Sequence, residues 1–577
     1  MTFTPDQIAY VDIYPPASVA HSSEYFIGSE VPGVEPTPEG GFKDKDFKIK
    51  KQAARFRVYA FDKDSKPLGE VTAANYSLNW KVHVANKKPA WVHTRSRYKP
   101  ESWQLRNPKV QGWPQGQKET YEYTNTRNKL IIDSGERTIE GANAQPVSLK
   151  GDYWGSLDSP IPVQLGELRT DEQGRLLVLA SDGHSFSADG AEKPNDYFNN
   201  DGWVDSVCDG AVRVTVKSKS QPEIDIPVKN RATVITAPPR FASGIHCLTT
   251  LYELIEDIHE RPRRLEPGYD VGEVVYYRDI YPLFRRVYLL SWTNKKVARY
   301  HGSRSDYMKY FEGDELRNPQ AAESARVGVF KKIRAPVIDG DKENERIRDG
   351  QANEEHMPVL YGDGGSPEEV EPVKRDAWAS LTQLQYDRLK KWSEGKFTTG
   401  EPEIPYESFD KIPLDEQPSA LTKAGLEWTI GAALYPGIEC FWIAQGEDKY
   451  KPGERFRFTD TVTPGDLGKG LALPWQTDFY MCNTHWWPSV RPDDVVPELV
   501  FEEKKKVTQP DQLATSFTEG DRKLWARGIK GEKDKDRWPE MVQNWNKLGF
   551  VARQHYETAP GQLEIFIERQ RHPDFPL

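Results

Sequence analysis

SLNWKVHV, residues 77–84, alternates apolar and polar side chains, so that Leu78, Trp80, Val82 and Val84 share one face. A period of two is that of a strand with one face buried. FRVYAF (56–61), RLLVLA (175–180) and AVRVTVK (211–217) read the same way, and DEQG, SDG and CDG turns bound the last two. The first 240 or so residues therefore read as mostly β. Long polar connections intervene, notably 86–150, rich in Lys, Asn, Gln and Gly. They point to a sheet with decorated loops rather than a minimal sandwich.

Further along the chain the period changes. In residues 245–259, Leu248, Leu251, Leu254, Ile255 and Ile258 recur at helical spacing. Residues 382–394 predict a second helix. Thr382 and Gln385 fit a capping box, Leu384, Leu389 and Trp392 supply the apolar positions, and Gly395 can end it. The stretches 312–325 and 337–355 are charged and expected to be exposed. The last 160 residues are rich in Trp, Pro and Gly. There WPEMVQNWNKLGF (538–550) predicts a short helix, with Pro539 in its first turn, Trp538 just outside the start and Gly549 at the exit. Met541, Val542, Trp545 and Leu548 then share a face, and on physical grounds alone Trp545 is an aromatic core residue. The expected class is α+β: a β-rich region (1–240), a mainly helical middle (241–420) and a Trp-rich C-terminal region (421–577), packed as one body.

The chain has 577 residues, 78 basic against 88 acidic, for a net charge of −10. That balance argues against a nucleic-acid partner. No run of about 18 apolar residues suggests a membrane span. MTFTPDQIAYVDIYPP carries no basic patch followed by an apolar stretch, so the expected location is the cytoplasm, or outside the cell without an N-terminal signal. Four cysteines (Cys208, Cys247, Cys440, Cys482) are too few for a disulfide scaffold, and their spacing does not suit a zinc site. GHSFS (183–187) lacks the last Gly of a nucleophile elbow. GDLGKG (465–470) resembles a phosphate loop only superficially, and no G-x-G-x-x-G follows a strand. NNDGWVDSVCDG (199–210) is acidic but does not match a calcium loop, and reads as a turn between strands.

One segment stands apart: PWQTDFYMCNTHWWPSVRPDDVV, residues 474–496. It sets Asp478, Cys482 and His485 among three Trp and three Pro. Asp478 and Cys482 are four apart, on one face of any helical turn. A carboxylate desolvated among aromatics would gain pKa and suit a general base; it could equally be a paired acid in a core. His485 needs no role beyond that of a half-buried histidine.

This segment resembles the cofactor-bearing motif of the LodA/GoxA family, the lysine ε-oxidase and glycine oxidase group of quinoprotein amino-acid oxidases. The similarity continues through SSEYFIGSEVPG (22–33), GELRTDEQGRLLVL (166–179), NNDGWVDSVCDG (199–210), APPRFASGI (237–245), RDIYPLFRRV (278–287), MPVLYGDGG (357–365), LTQLQYDRLKKWSEGKF (381–397), YPGIECFW (435–442) and MVQNWNKLGFV (541–551). The resemblance implies a cofactor made from the chain itself, cysteine tryptophylquinone, in which Cys482 is joined by a thioether to an oxidised Trp545. It implies a primary amine captured as a Schiff base, Asp478 as the base, and dioxygen as the electron acceptor, giving an oxo acid or aldehyde, ammonia and hydrogen peroxide. It also implies a maturation flavoprotein as partner and a homo-oligomer. Phe241 matches an aromatic position near relatives' active sites, although a packing role is equally natural, and it tips the expected substrate slightly towards the α-amine of glycine over the ε-amine of lysine. His555 is a candidate for the substrate carboxylate or an oxygen intermediate, with a surface histidine as the plain alternative. Cys440 is expected near the cofactor without being part of it. PGDLGKGLALPW and Arg388 depart from the family's usual wording, which bears on the substrate. A different class of function remains: a catalytically silent relative that keeps the scaffold without the quinone.

Overall fold

A computed structural model describes residues 3–576 apart from 21–23, 92–105, 109, 111–126, 156, 189, 191, 337–350, 352–354, 363–377, 430, 432–440, 481–484 and 555–562. The chain divides into two compact units. The first comprises Met1–Pro239, Pro405–Thr429 and Gly437–Asp478, and the second Arg240–Ile404, Ile430–Pro436 and Phe479–Leu577. One break, at 239/240, lies beside the expected edge of the β-rich region. Residues 405–429 and 437–478 belong to that first unit.

The first unit is built on two sheets. One runs Tyr10–Tyr14, Lys51–Phe61, Leu176–Ala180, Ile161–Thr170, Val147–Tyr153, with Tyr25–Ile27 and Pro67–Val71 also paired to Lys51–Phe61. The other runs Ala17–Ala20, Ala232–Thr236, Asp209–Ser218, Tyr76–Asn86, Ile132–Glu140, with Asp225–Ile226 on Asp209–Ser218. The alternation of 77–84 does what its period predicts: Leu78, Trp80, Val82 and Val84 are all buried in one core with Phe56, Val58, Leu176 and Val178 of the other sheet. Trp80 is fully enclosed and its indole N–H donates to Gly174 O at 2.9 Å, which satisfies its one polar atom.

The polar stretch 86–150 is not all connection, because Ile132–Glu140 is a strand and Val147 starts another. Among the described residues Ile132–Glu140 closes one edge of its sheet, pairing with Tyr76–Asn86, and buries just Ile132, Ser134 and Ile139. An edge strand with so few apolar residues leaves a weak periodic signal.

Helices fill the second unit. Leu251–Glu260 starts six residues later than the apolar spacing suggests, because Thr250 caps it. The Thr250 hydroxyl accepts from Glu253 N, and Glu253 returns a carboxylate to Thr250 N at 2.9 Å. Gln383–Ser393 has the predicted capping box, with Gln385 N donating to the Thr382 hydroxyl at 3.2 Å and Thr382 N to Gln385 Oε1 at 3.0 Å. Its Leu384, Leu389 and Trp392 are buried, and Gly395 takes φ 74° just beyond its end. The Trp392 indole N–H donates to Leu316 O at 2.9 Å, and Phe284 stacks on Phe311 with centroids 3.8 Å apart, so the helices share one aromatic core. Much of 312–325 is exposed as expected, whereas 337–350 lies outside the described residues.

Candidate active site

Asp478 ends a run of turns, Pro474–Asp478, that the first unit pins from several directions. The Trp475 amide donates to Asp205 Oδ2 at 3.0 Å, and its indole N–H to Gly183 O at 3.2 Å. Gln476 Oε1 accepts from the Ser185 hydroxyl at 2.7 Å. The Thr477 hydroxyl lies 2.8 Å from the carbonyl oxygens of both Tyr197 and Pro474. These tethers carry Asp478 to a position with 0% of its surface exposed.

Beneath the turn lies a buried ion pair. Lys88 Nζ meets Asp205 Oδ2 and also donates to Ala472 O at 2.9 Å, and Asn86 Nδ2 donates to Asp205 Oδ1 at 3.1 Å. Two charges removed from water survive only when paired and hydrogen-bonded, and here both conditions hold. Burial lowers the Lys88 pKa, while the carboxylates of Asp205 and then Asp478 pull it back up, which puts the ammonium within electrostatic reach of Asp478. Arg106, also fully buried, braces the same turn by donating to Leu471 O at 2.9 Å and Asn199 Oδ1 at 2.9 Å.

The glycine loop before the turn has a different use from the one its wording suggests. The amides of Gly465, Leu467 and Gly468 donate to the Asp209 carboxylate at 3.1, 3.3 and 2.7 Å. Gly465 takes φ 84°, and a Cβ there would lie 3.1 Å from Ala85 O. The loop therefore wraps the chain's own carboxylate, in the manner of a backbone nest around an anion. Burial nonetheless pushes the Asp209 pKa up to about 7, against the pull of those amides. The acidic stretch 199–210 is thus part turn and part short strand (Trp203–Val204), with Asp205 and Asp209 turned inward. Among the described residues no group of three or more His, Cys, Asp or Glu could hold a metal ion.

In the second unit Phe479 and Tyr480 are helical, and so is His485. Residues 481–484, Cys482 among them, lie outside the described residues, as do Cys440 and His555. His485 stacks on Tyr361 with ring centroids 4.9 Å apart, and its carbonyl accepts from Tyr361 N at 2.7 Å. Trp486 and Trp487 are buried.

Trp545 follows the helix Asp534–Asn544 as the first residue of a 3₁₀ turn, Trp545–Lys547, and is buried with Met541 and Leu548. That helix begins four residues before the predicted start. The Asp536 carboxylate accepts from the Lys533 amide at 3.3 Å at its start, so Trp538 lies within the helix and Pro539 in its interior rather than its first turn. The carbonyl of Lys535 consequently has no amide to accept from at the fourth residue on.

Phe241 ties these parts together. Its amide donates to Val490 O at 3.0 Å and its carbonyl accepts from Val551 N at 2.6 Å. Its ring lies 4.7 Å from Phe550, 4.9 Å from Trp525 and 5.9 Å from Phe479, centroid to centroid, and is fully enclosed. The Arg491 guanidinium covers Phe479 at 3.6 Å. The stretch after Cys482 and the stretch after Trp545 are therefore held on two sides of one residue. Phe241 thus packs against Phe479, Trp525 and Phe550. Arg388 is occupied on the second unit's surface, 3.8 Å from Asp279. Lys88, Arg106, Asp205 and Arg491 were not anticipated, since a charged residue gives no sign in sequence that it is to be buried.

Comparison with known proteins agrees with the fold. Residues 15–231 match the family model described as L-lysine epsilon oxidase N-terminal, and residues 363–503 that of the L-lysine epsilon oxidase C-terminal domain. L-lysine 6-oxidase of Marinomonas mediterranea is 26% identical over 648 aligned positions, covering 92% of this chain and 83% of that protein. Among solved structures, the epsilon-lysine oxidase from M. mediterranea superposes with a TM-score of 0.73 at 21% identity, covering 97% of this chain and 95% of that one. The Schiff base intermediate of L-Lys epsilon-oxidase from the same organism, with L-Lys, superposes with a TM-score of 0.72 over the same shares of the two chains. With the N- and C-terminal models of one family matched in order and together spanning more than half its length, the chain belongs to the LodA-like family of amino-acid oxidases.

Proposed function

We propose that this oxidase acts on the ε-amine of free L-lysine: R–CH2–NH2 + O2 + H2O → R–CHO + NH3 + H2O2. The observation that carries the substrate is the likeness to L-lysine 6-oxidase, which runs through 92% of the chain. It favours lysine over glycine, the substrate preferred on sequence alone.

The family implies a quinone derived from the protein's own side chains. On our reading Cys482 and Trp545 form it as cysteine tryptophylquinone, with a separate flavoprotein assisting maturation. Phe241 supports this pairing, because its backbone bonds to Val490 on one side and Val551 on the other. The buried Trp545 side chain, at a helix end, fits a ring that must be fixed and shielded from water. When formed, such a quinone supplies an electrophilic carbonyl and a two-electron sink that dioxygen empties.

The chain's own groups do the rest. Asp478, four residues before Cys482 and enclosed by its turn, takes the proton from the substrate carbon beside nitrogen. Lys88, paired with Asp205 in the same buried cluster, adds an attractive electrostatic influence on the Asp478 carboxylate. Enclosure keeps water from competing for the proton.

Peptide mapping and an amine screen of the purified protein, co-expressed with a maturation flavoprotein, test the reading together. The expected result is one cross-linked peptide pair containing Cys482 and Trp545, with two oxygen atoms gained and four hydrogens lost, and peroxide release with L-lysine well above that with glycine. Glycine as the better substrate would restore the other amine. Separate peptides of unmodified mass and no peroxide would leave a silent scaffold.

A further inference from the structure

A cavity of about 390 Å3 opens in the second unit between the helices Tyr281–Leu290 and Lys295–His301. Lys296 and Tyr300, both exposed, mark its mouth. Inside, Val287, Leu290, Met357 and Leu360 make much of its wall aliphatic, and Phe284 and His301 also line it. A second cavity of about 20 Å3 adjoins it, lined in part by Cys247, Thr249, Trp486 and Trp487. Leu248, Leu290, Pro358 and Leu360 line both. The smaller space holds about one water-sized molecule.

Trp486 follows Cys482 by four residues, a length of chain that spans at most about 14 Å. The inner cavity is therefore tethered to the segment that bears the cofactor on the reading above. Free lysine carries charges at both ends, and largely apolar walls would strip their water without replacing it. Dioxygen is neutral, apolar and diatomic, and gains by leaving water for such walls.

We propose that the two cavities are the entry route and waiting site for dioxygen, with Leu290 and Leu360 as the constriction between them. The proposal rests on the oxidase reading, in which each dioxygen takes two electrons and two protons and leaves as hydrogen peroxide. The inner wall suits that traffic. Cys247 donates its thiol to Thr249 O at 2.8 Å, and burial raises its pKa, so it stays in the protonated form that resists peroxide.

The test separates the two half-reactions in stopped-flow experiments on the mature enzyme. Leu360→Trp should fill the constriction and lower the second-order rate constant for reoxidation by dioxygen about tenfold, while leaving the rate of anaerobic reduction by L-lysine where it is. Val287→Phe, at a half-buried position in the outer cavity, should act in the same direction if the first variant fails to fold. Unchanged reoxidation in a folded variant of either kind would overturn the proposal. Crystals of the unaltered protein under xenon give an independent reading: a xenon atom in the inner cavity supports the route, and empty density in both cavities overturns it. If no amine reduces the unaltered enzyme under anaerobic conditions, the oxidase reading fails at that step, and the proposal falls with it.

Discussion

Asp478 is fully enclosed, and hydrogen bonds from the residues just before it fix its turn. Asp478→Asn keeps the size and shape of the side chain while removing its capacity to accept a proton. Turnover should fall about 10²–10⁴-fold, with the anaerobic reduction step slowed by the same factor and the far-ultraviolet dichroism unchanged. A loss confined to reoxidation would assign the proton transfer elsewhere. The residues that surround Asp478 show what a single sequence withholds. Asp478 was visible because it stands in a dense aromatic stretch beside a cysteine. Lys88 and Arg106 were not, since each comes from a polar stretch that reads as solvent-facing. Only the fold brings Asp205, Asn199 and Leu471 together around them.

Among elements, helix ends were the most legible feature where short-range chemistry sets them. Thr382, Gln385 and Gly395 fall where their spacing predicts, and each does so through a local bond or a local dihedral. Thr382→Ala removes the acceptor for the Gln385 amide and should destabilise the fold by about 1 kcal/mol, seen as a lower urea midpoint at unchanged slope. A change within error would mean that packing alone holds the helix start. Residues 534–544 show the opposite case. There a proline suggested a first turn, but the helix begins earlier, where the Asp536 carboxylate accepts from the Lys533 amide, and the buried face of Trp538 and Met541 carries it past Pro539. Tertiary burial outweighs a local preference of about 3 kcal/mol when enough apolar surface is at stake. The strand Ile132–Glu140 escaped for a related reason. Its pairing with Tyr76–Asn86 is a long-range fact, and its exposed face mimics a loop.

The whole molecule should report the state of Asp209. An aspartate free in the unfolded chain titrates near 3.8, and burial holds Asp209 protonated up to about 7. Between those values the folded state binds the extra proton. Stability should therefore decline as pH rises from about 4 to about 7, by up to about 4 kcal/mol from this group, and level off above. Asp209→Asn cannot ionise and should flatten that decline, which urea midpoints at pH 5 and pH 8 would reveal. An equal slope in both proteins would mean that the amides of Gly465, Leu467 and Gly468 keep the carboxylate ionised. At this scale the α+β class and its β-rich beginning could be read from periodicity, and the family from its ordered segments. The return of residues 405–429 and 437–478 to the first unit could not, because periodicity carries no information about which distant stretches meet.

That return has a consequence for synthesis. The chain passes between the two units five times, and the first unit holds its last residue at Asp478. When residue 239 leaves the ribosome, Asp12 still lacks Arg457, which meets it at 3.1 Å, and Lys88 lacks the carbonyl of Ala472. At roughly 5–20 residues per second the nascent sheets must wait on the order of 10–50 seconds for those partners. For that interval a buried lysine and a buried aspartate have incomplete surroundings, and the growing chain depends on its early core of Trp80, Phe56 and Val178 to keep its shape.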